Sequence, residues 1–218
     1  VDLRLRPSGR AGPVATSLES FRIYQREEAW TWEHMALTRA RVVSASPEFR
    51  ARIEEEIRSV LCAERDPTIV ARDVVEMRRA IAEEKDESER WDLKYAAGGL
   101  VDIEFVAQYL MLMHAHEQPD ILDTHTGRVL EAVRARQLIA KEDGEALRAA
   151  YTLYHDLTQV LRLCLTKKFD PAEAGPGLLS LLARAGELPD FNTLEAHLFE
   201  TQANVRRLFE KIVGEAAE

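Results

Sequence analysis

Cysteine is nearly absent: Cys62 and Cys164 are the only two in 218 residues. Neither sits in a Cys-x-x-Cys pair or a Cys/His cluster, which argues against a disulfide framework or a zinc site and fits the cytoplasm. Basic charge is also short. Against 38 Asp and Glu there are 29 Lys and Arg, a net charge of -9, and this disfavours general nucleic-acid binding, whose affinity comes largely from clustered cations. No apolar run approaches the ~18 residues of a membrane span. Gly-x-Ser-x-Gly, His-Glu-x-x-His and phosphate-loop signatures are missing, so the commonest hydrolase, zincin and P-loop readings fall away. The six histidines show no ligand spacing. No initiator methionine or targeting stretch opens the chain, and residues 1–6 begin in mid-pattern, so a piece of a larger protein is expected.

What is present is helix. With 46% hydrophobic and 31% charged residues, a chain of this length buries a core as one or two domains. Ser46-Pro47 and Asp66-Pro67 are cap and first-position pairs, opening helices through Phe49, Ile53, Ile57 and Leu61 and through Val70, Val74, Met77 and Ile81. Thr16 with Glu19 and Asn192 with Glu195 match capping boxes, and Thr124 introduces a helix through Val129 and Val133. Residues 146–166 carry a long amphipathic face of the kind that packs centrally in a bundle. At the start, Leu3 and Leu5 alternate with Asp2, Arg4 and Arg6, residues 7–13 are turn-rich, and Val14-Ala15 can return as a partner strand. Residues 39–43 end a helix or form a short strand; the acidic run 83–89 reads as a solvated helix end and loop. The expected fold is mainly α, a helical bundle preceded by a small β remnant, with residues 1–90 and 91–218 as its two parts.

Three constellations carry chemistry. Asp2, Arg4 and Arg6 share one strand face, where a carboxylate can hold Mg²⁺ and guanidinium forks can bind phosphate oxygens; exposed ion pairs on a surface strand explain the same pattern. Trp30 and Trp32 can grip a partner, although burial in the core is the commoner use. In the stretch 91–105, Gly98-Gly99 opens a helix whose free N–H groups favour an anion. Lys94 lies just upstream as a counter-charge, and Asp102 and Glu104 fall in the first turns. A plain joint with favourably placed first-turn acids fits as well.

Taken together, residues 1–9 (Val-Asp-Leu-Arg-Leu-Arg-Pro-Ser-Gly), 24–34 (Tyr-Gln-Arg-Glu-Glu-Ala-Trp-Thr-Trp-Glu-His), 39–43 and 94–105 resemble glutamine synthetase adenylyltransferase. That family has two related nucleotidyltransferase halves, each followed by helices; one attaches AMP to a tyrosine of glutamine synthetase and the other removes it by phosphorolysis. The motif at 29–34 looks more like the adenylylating, C-terminal half. The resemblance implies ATP as substrate, Mg²⁺ as cofactor, a cytoplasmic setting, and glutamine synthetase and a PII-type signalling protein as partners. Asp2 matches the third metal carboxylate of such enzymes, with Arg4 and Arg6 beside it as catalytic candidates. Lys94, Gly98 and Gly99 would approach the nucleotide, while Asp102 and Glu104 would position basic groups such as Arg4 or Arg6. The Gly-Ser pair and two further carboxylates of the family pattern have no counterpart here, so the chain alone is expected to be inactive. The other readings are the deadenylylating half and a helical docking module.

Overall fold

Short polar side chains and prolines set the helix starts. A computed structural model describes residues 12–217. Ser17 Oγ accepts the Ser20 N–H at 3.0 Å and caps α1 (Leu18–Glu27); the expected Thr16 cap gives way because Ser17 stands three residues before that donor. In α2 (Thr31–Leu37) the Glu33 carboxylate reaches back to the Trp30 N–H at 3.0 Å. Next, α3 (Pro47–Leu61) and α4 (Pro67–Glu84) begin at the expected pairs, Ser46 accepting from Phe49 at 3.3 Å and Asp66 from Thr68 at 2.9 Å. The remaining helices are α5 (Leu100–His114), α6 (Thr126–Ala135), α7 (Lys141–Cys164), α8 (Pro176–Ala185) and α9 (Phe191–Phe209). Asp190 rather than Asn192 caps α9, accepting from Thr193 at 2.8 Å. His125, not Thr124, precedes α6, and Asp123 accepts the His125 N–H at 2.7 Å.

The expected β remnant is overturned. Among the described residues there is no strand. Val14-Ala15, the proposed return strand, is exposed irregular chain running into the α1 cap; a strand needs a neighbouring ladder for its N–H and C=O groups, and the surrounding elements are helices whose backbone bonds are already made. Leu3 and Leu5, the other strand of that hairpin, lie outside the described residues. Residues 39–43 are turn and irregular backbone that end α2.

At the centre stands α5, not α7. Every residue of α5 from Val101 to Met113 except Glu104 is buried, and a helix that is apolar nearly all round belongs inside. It packs against α2, α4, α6, α7 and α9. By contrast α7 turns in only one stripe, including Leu147, Ala150, Tyr154 and Leu157, as its amphipathic pattern dictates. One hydrophobic cluster runs from Met35 through α5 to Val213. After α9 the chain widens into a π-type turn at Glu210–Gly214 and a 3₁₀ turn at Glu215–Ala217, which lie against α4. Trp30 is 70% and Trp32 38% exposed, so the aromatic pair is not core; α2 is short, and it turns Met35 and Leu37 inward instead.

The loop before α5 is anchored by Trp91. Its ring stacks on Phe191 with centroids 5.4 Å apart, meets Phe169 edge-on at 4.8 Å, and its indole N–H donates to Glu195 at 3.0 Å. That anchoring brings Gly98 against the α9 backbone. Gly98 has φ +75°, and a Cβ there would fall 1.8 Å from the Gln202 carbonyl oxygen. Gly98→Ala is therefore expected to destabilise the chain by about 3 kcal/mol or more through strain and overpacking. Gly177→Ala in α8, where a Cβ meets nothing within 4 Å, should instead gain roughly 0.5 kcal/mol. Urea unfolding of the two variants checks both signs.

Candidate functional site

The Gly98-Gly99 turn is built from its own backbone upward. Gly99 caps α5 with extended geometry. The helix N–H groups that an anion would use are already engaged: Leu100 N–H donates to the Leu93 carbonyl at 2.9 Å and Val101 N–H to the Lys94 carbonyl at 3.1 Å. A Cβ on Gly99 would crowd the Leu93 and Ala96 carbonyls at 2.8 and 2.9 Å, so the glycine permits the turn to fold over the helix end. The dipole there meets carbonyl oxygens, and the Gly98 N–H donates to the Asp102 carboxylate at 2.6 Å.

Asp102 is fully buried. Its oxygens take Arg78 Nε at 2.5 Å and Arg78 Nη2 at 3.4 Å, with Arg206 Nη1 at 3.7 Å. Arg78 is itself 1% exposed, reaches Glu87 at 3.1 Å, and leaves Nη1 without a hydrogen-bond partner. A buried carboxylate survives only when paired and hydrogen-bonded, and here a guanidinium and a backbone N–H meet that need. The Gly98 carbonyl accepts the Tyr154 hydroxyl at 2.9 Å; burial and the nearby Asp102 charge push the Tyr154 pKa well above the ordinary phenol value. Gln202, also fully buried, donates to the Arg90 carbonyl at 2.7 Å and accepts from the Arg90 guanidinium at 3.2 Å. One turn thereby ties α4, α5, α7 and α9 together.

Beside this junction opens a cleft of ≈ 920 Å³. Lys94, Tyr95 and Glu104 line one wall; Gln25, Trp32 and Arg39 line another; Met35, Met77 and Phe105 give it an apolar floor. Arg39 and Glu104 pair at 2.9 Å. Lys94 Nζ stands 4.7 Å above the Tyr95 ring. Gln25 is 7% exposed and its Oε1 has no partner among the described residues, while its carbonyl meets His34 Nε2 at 2.9 Å. Burial lowers the His34 pKa, so the ring is neutral at pH 7 and donates that hydrogen bond. A mainly apolar cleft with a few convergent polar groups is the usual form of a ligand site.

Of the sequence candidates, the structure brings Lys94 and Glu104 to this one cleft. Gly98, Gly99 and Asp102 are beneath it, in the core. The partner of Glu104 is Arg39, and those of Asp102 are Arg78 and Arg206. Asp2, Arg4 and Arg6 lie outside the described residues. Among the described residues no group of three His, Cys, Asp or Glu side chains is placed to hold a metal ion, and the two carboxylates nearest the turn are both matched to arginine, so this part of the chain does not offer Mg²⁺ an oxygen shell. Sequence reading placed Gln25 in the 24–34 motif without a site role, and passed over Arg78. Arg78 shows only as an arginine on the same face of α4 as Val74 and Ile81, a pattern that equally describes a flanking surface charge.

Residues 71–213 match the family described as GlnD PII-uridylyltransferase. The chain belongs to that family. Its matched region begins inside α4 and takes in the Arg78–Asp102 pair, the glycine turn and α5 to α9. Residues 1–56 match a second family, glutamate-ammonia ligase adenylyltransferase. Among curated relatives, proteins named bifunctional glutamine synthetase adenylyltransferase/adenylyl-removing enzyme from Rhodopseudomonas palustris and Xanthobacter autotrophicus are 59% and 58% identical over 98% and 100% of this chain. One of the same name from Bradyrhizobium is 60% identical over 99%. The chain spans 22% of the length of each. The resemblance read from the sequence thus leads to relatives of that kind, while the part of the protein concerned is not fixed by it.

Removing the Asp102 carboxylate should leave the Arg78 charge buried with only the part-exposed Glu87, at 3.1 Å, as counter-charge. Asp102→Ala is expected to cost about 3–5 kcal/mol in urea unfolding, and a double change, Arg78→Met with Asp102→Leu, to recover most of it.

Proposed function

We propose that this chain is part of an enzyme that transfers AMP from ATP to a tyrosine of glutamine synthetase, and that it lies in the C-terminal part of the adenylylating half. The observation that carries this is the 58–60% identity, sustained along nearly the whole chain, to proteins named for that adenylylation and its reversal. The uridylyltransferase family covers only residues 71–213, whereas the relatives extend through α1 to α3 as well, which favours adenylyl chemistry over uridylyl transfer.

In this reading Lys94 and Arg39, at the rim of the cleft, face the phosphates of the nucleotide, and Glu104 holds Arg39 in place. Gly98, Gly99 and Asp102 act on the nucleotide only through the position they give Lys94. Asp2 is the chain's one proposed Mg²⁺ ligand, with Arg4 and Arg6 as catalytic partners. The metal, when bound, neutralises triphosphate charge; the remaining ligands belong to sequence beyond these 218 residues. Partners are glutamine synthetase and a PII-type signalling protein, in the cytoplasm. Among the described residues no helix is long and apolar enough to cross a membrane.

The full-length enzyme, incubated with labelled ATP, Mg²⁺ and glutamine synthetase, should label the synthetase, and the 218-residue chain alone should not. Asp2→Ala in the full-length enzyme should lower transfer by about 100-fold or more without moving the melting temperature of the helical part. Turnover by the isolated chain, or an unchanged rate for Asp2→Ala, would overturn the assignment. Phosphate-dependent release of AMP, retained when the other half is inactivated, would place the chain in the deadenylylating half instead.

A further inference from the structure

On the other side of the 85–94 loop is a second cleft, of ≈ 490 Å³, between that loop and the end of α7 with the residues that follow it. In a chain of net charge -9, its lining gathers five cations, Lys85, Lys94, Arg162, Lys167 and Lys168, drawn from three segments. Three carboxylates share the lining, and each is already engaged. Glu89 holds Lys168 at 2.5 Å, Asp86 accepts the Ser88 N–H at 3.0 Å and its hydroxyl at 2.6 Å, and Asp92 accepts the Lys94 and Tyr95 N–H groups at 3.2 and 3.1 Å. Lys167 reaches outward to Glu173 and Lys85 to Glu84, each at 2.8 Å. Among the described residues Arg162 has no carboxylate within ion-pair distance, and the Thr158 and Thr166 side chains line the cleft beside it.

The floor is apolar. Trp91 and Phe169, both 7% exposed, close the bottom, with Leu161 and Leu165 on the α7 side. Cations at the rim around apolar contacts suit an extended chain bearing carboxylates and alternate apolar side chains, since complementary charge steers and orients a partner while buried aromatic surface supplies affinity. A small phosphate fits this arrangement poorly. The cations are spread along the cleft, and the nearest helix start, that of α5, has its N–H groups bonded to the Leu93 and Lys94 carbonyls.

We propose that this cleft docks an acidic segment of a partner protein. Arg162 is its central contact, and the Lys85, Lys167 and Lys168 ammonium groups, each held by a carboxylate of this chain, set its register by exchanging that partner for one on the segment. Apart from Lys94, which lines both, its residues are distinct from those of the cleft lined by Gln25, Arg39 and Glu104.

The test uses the 218-residue chain and a fluorescein-labelled peptide of repeating Glu-Glu-Leu units, followed by fluorescence anisotropy. Binding is expected at low ionic strength and should be largely lost near 1 M NaCl, where the Debye length falls to about 3 Å. Arg162→Glu and, separately, Lys167→Glu should each weaken it by about tenfold or more, with melting temperatures unchanged because both side chains are exposed. Arg52→Glu on α3, away from the cleft, should leave it unaltered. No binding, equal binding by Arg162→Glu, or displacement by inorganic phosphate at matched ionic strength would each overturn the proposal, the last by assigning the cleft to a small anion.

Discussion

A single carboxylate buried against a single guanidinium fixes the architecture. Asp102 and Arg78 meet at 2.5 Å with almost no access to water, and two charges so placed are costly unless they pair and the carboxylate's remaining acceptor sites are filled. That requires α4 to deliver Arg78, the turn to deliver the Gly98 N–H, and α9 to deliver Arg206 nearby. Gly98 must then lie on the α9 backbone, where no side chain fits, and Tyr154 of α7 closes the group by bonding the Gly98 carbonyl. The apolar cluster supplies the larger share of stability, but it is non-directional. The polar junction selects which helix meets which.

The same junction determines what the glycine turn can do. A helix N-terminus is an anion site only while its N–H groups are unclaimed, and at α5 the Leu93 and Lys94 carbonyls claim them. The turn is a structural knot with a chemical edge: it places Lys94 on the outside and Glu104 one turn further on, both facing a cleft with Arg39, Tyr95 and Gln25. Under the proposed function, a nucleotide would therefore be recognised by side chains from two regions of the chain, around α1–α2 and around the start of α5, and not by backbone amides.

Much of the helical layout was legible from local chemistry. Ser46-Pro47 and Asp66-Pro67 mark their helices because a cap oxygen and a fixed φ act within three residues, and the start of α5 at Gly98-Gly99 follows from the same kind of signal. Neighbouring caps competed at Thr16 and Ser17 and at Asn192 and Asp190, where only the three-dimensional reach of each side chain decides. Alternation at Leu3 and Leu5 extended to Val14 suggested a hairpin, yet Val14-Ala15 is irregular, since alternation over two residues carries no information about a partner strand. The Arg78–Asp102 pair spans 24 positions and two helices, and no periodicity links them; a buried arginine looks like any other until its partner is in place. Motif resemblance reached the relatives that whole-chain identity also finds, because it drew on ordered residues rather than on composition.

Amide hydrogen exchange at Gly98, Leu100 and Val101 tests the central claim most directly, that the donors of this turn serve the fold and not a ligand. All three should exchange only through global unfolding in the free chain, and their protection should be unchanged by Mg²⁺-ATP or pyrophosphate. Fast exchange in the free chain, with protection appearing when the nucleotide or pyrophosphate is added, would contradict it.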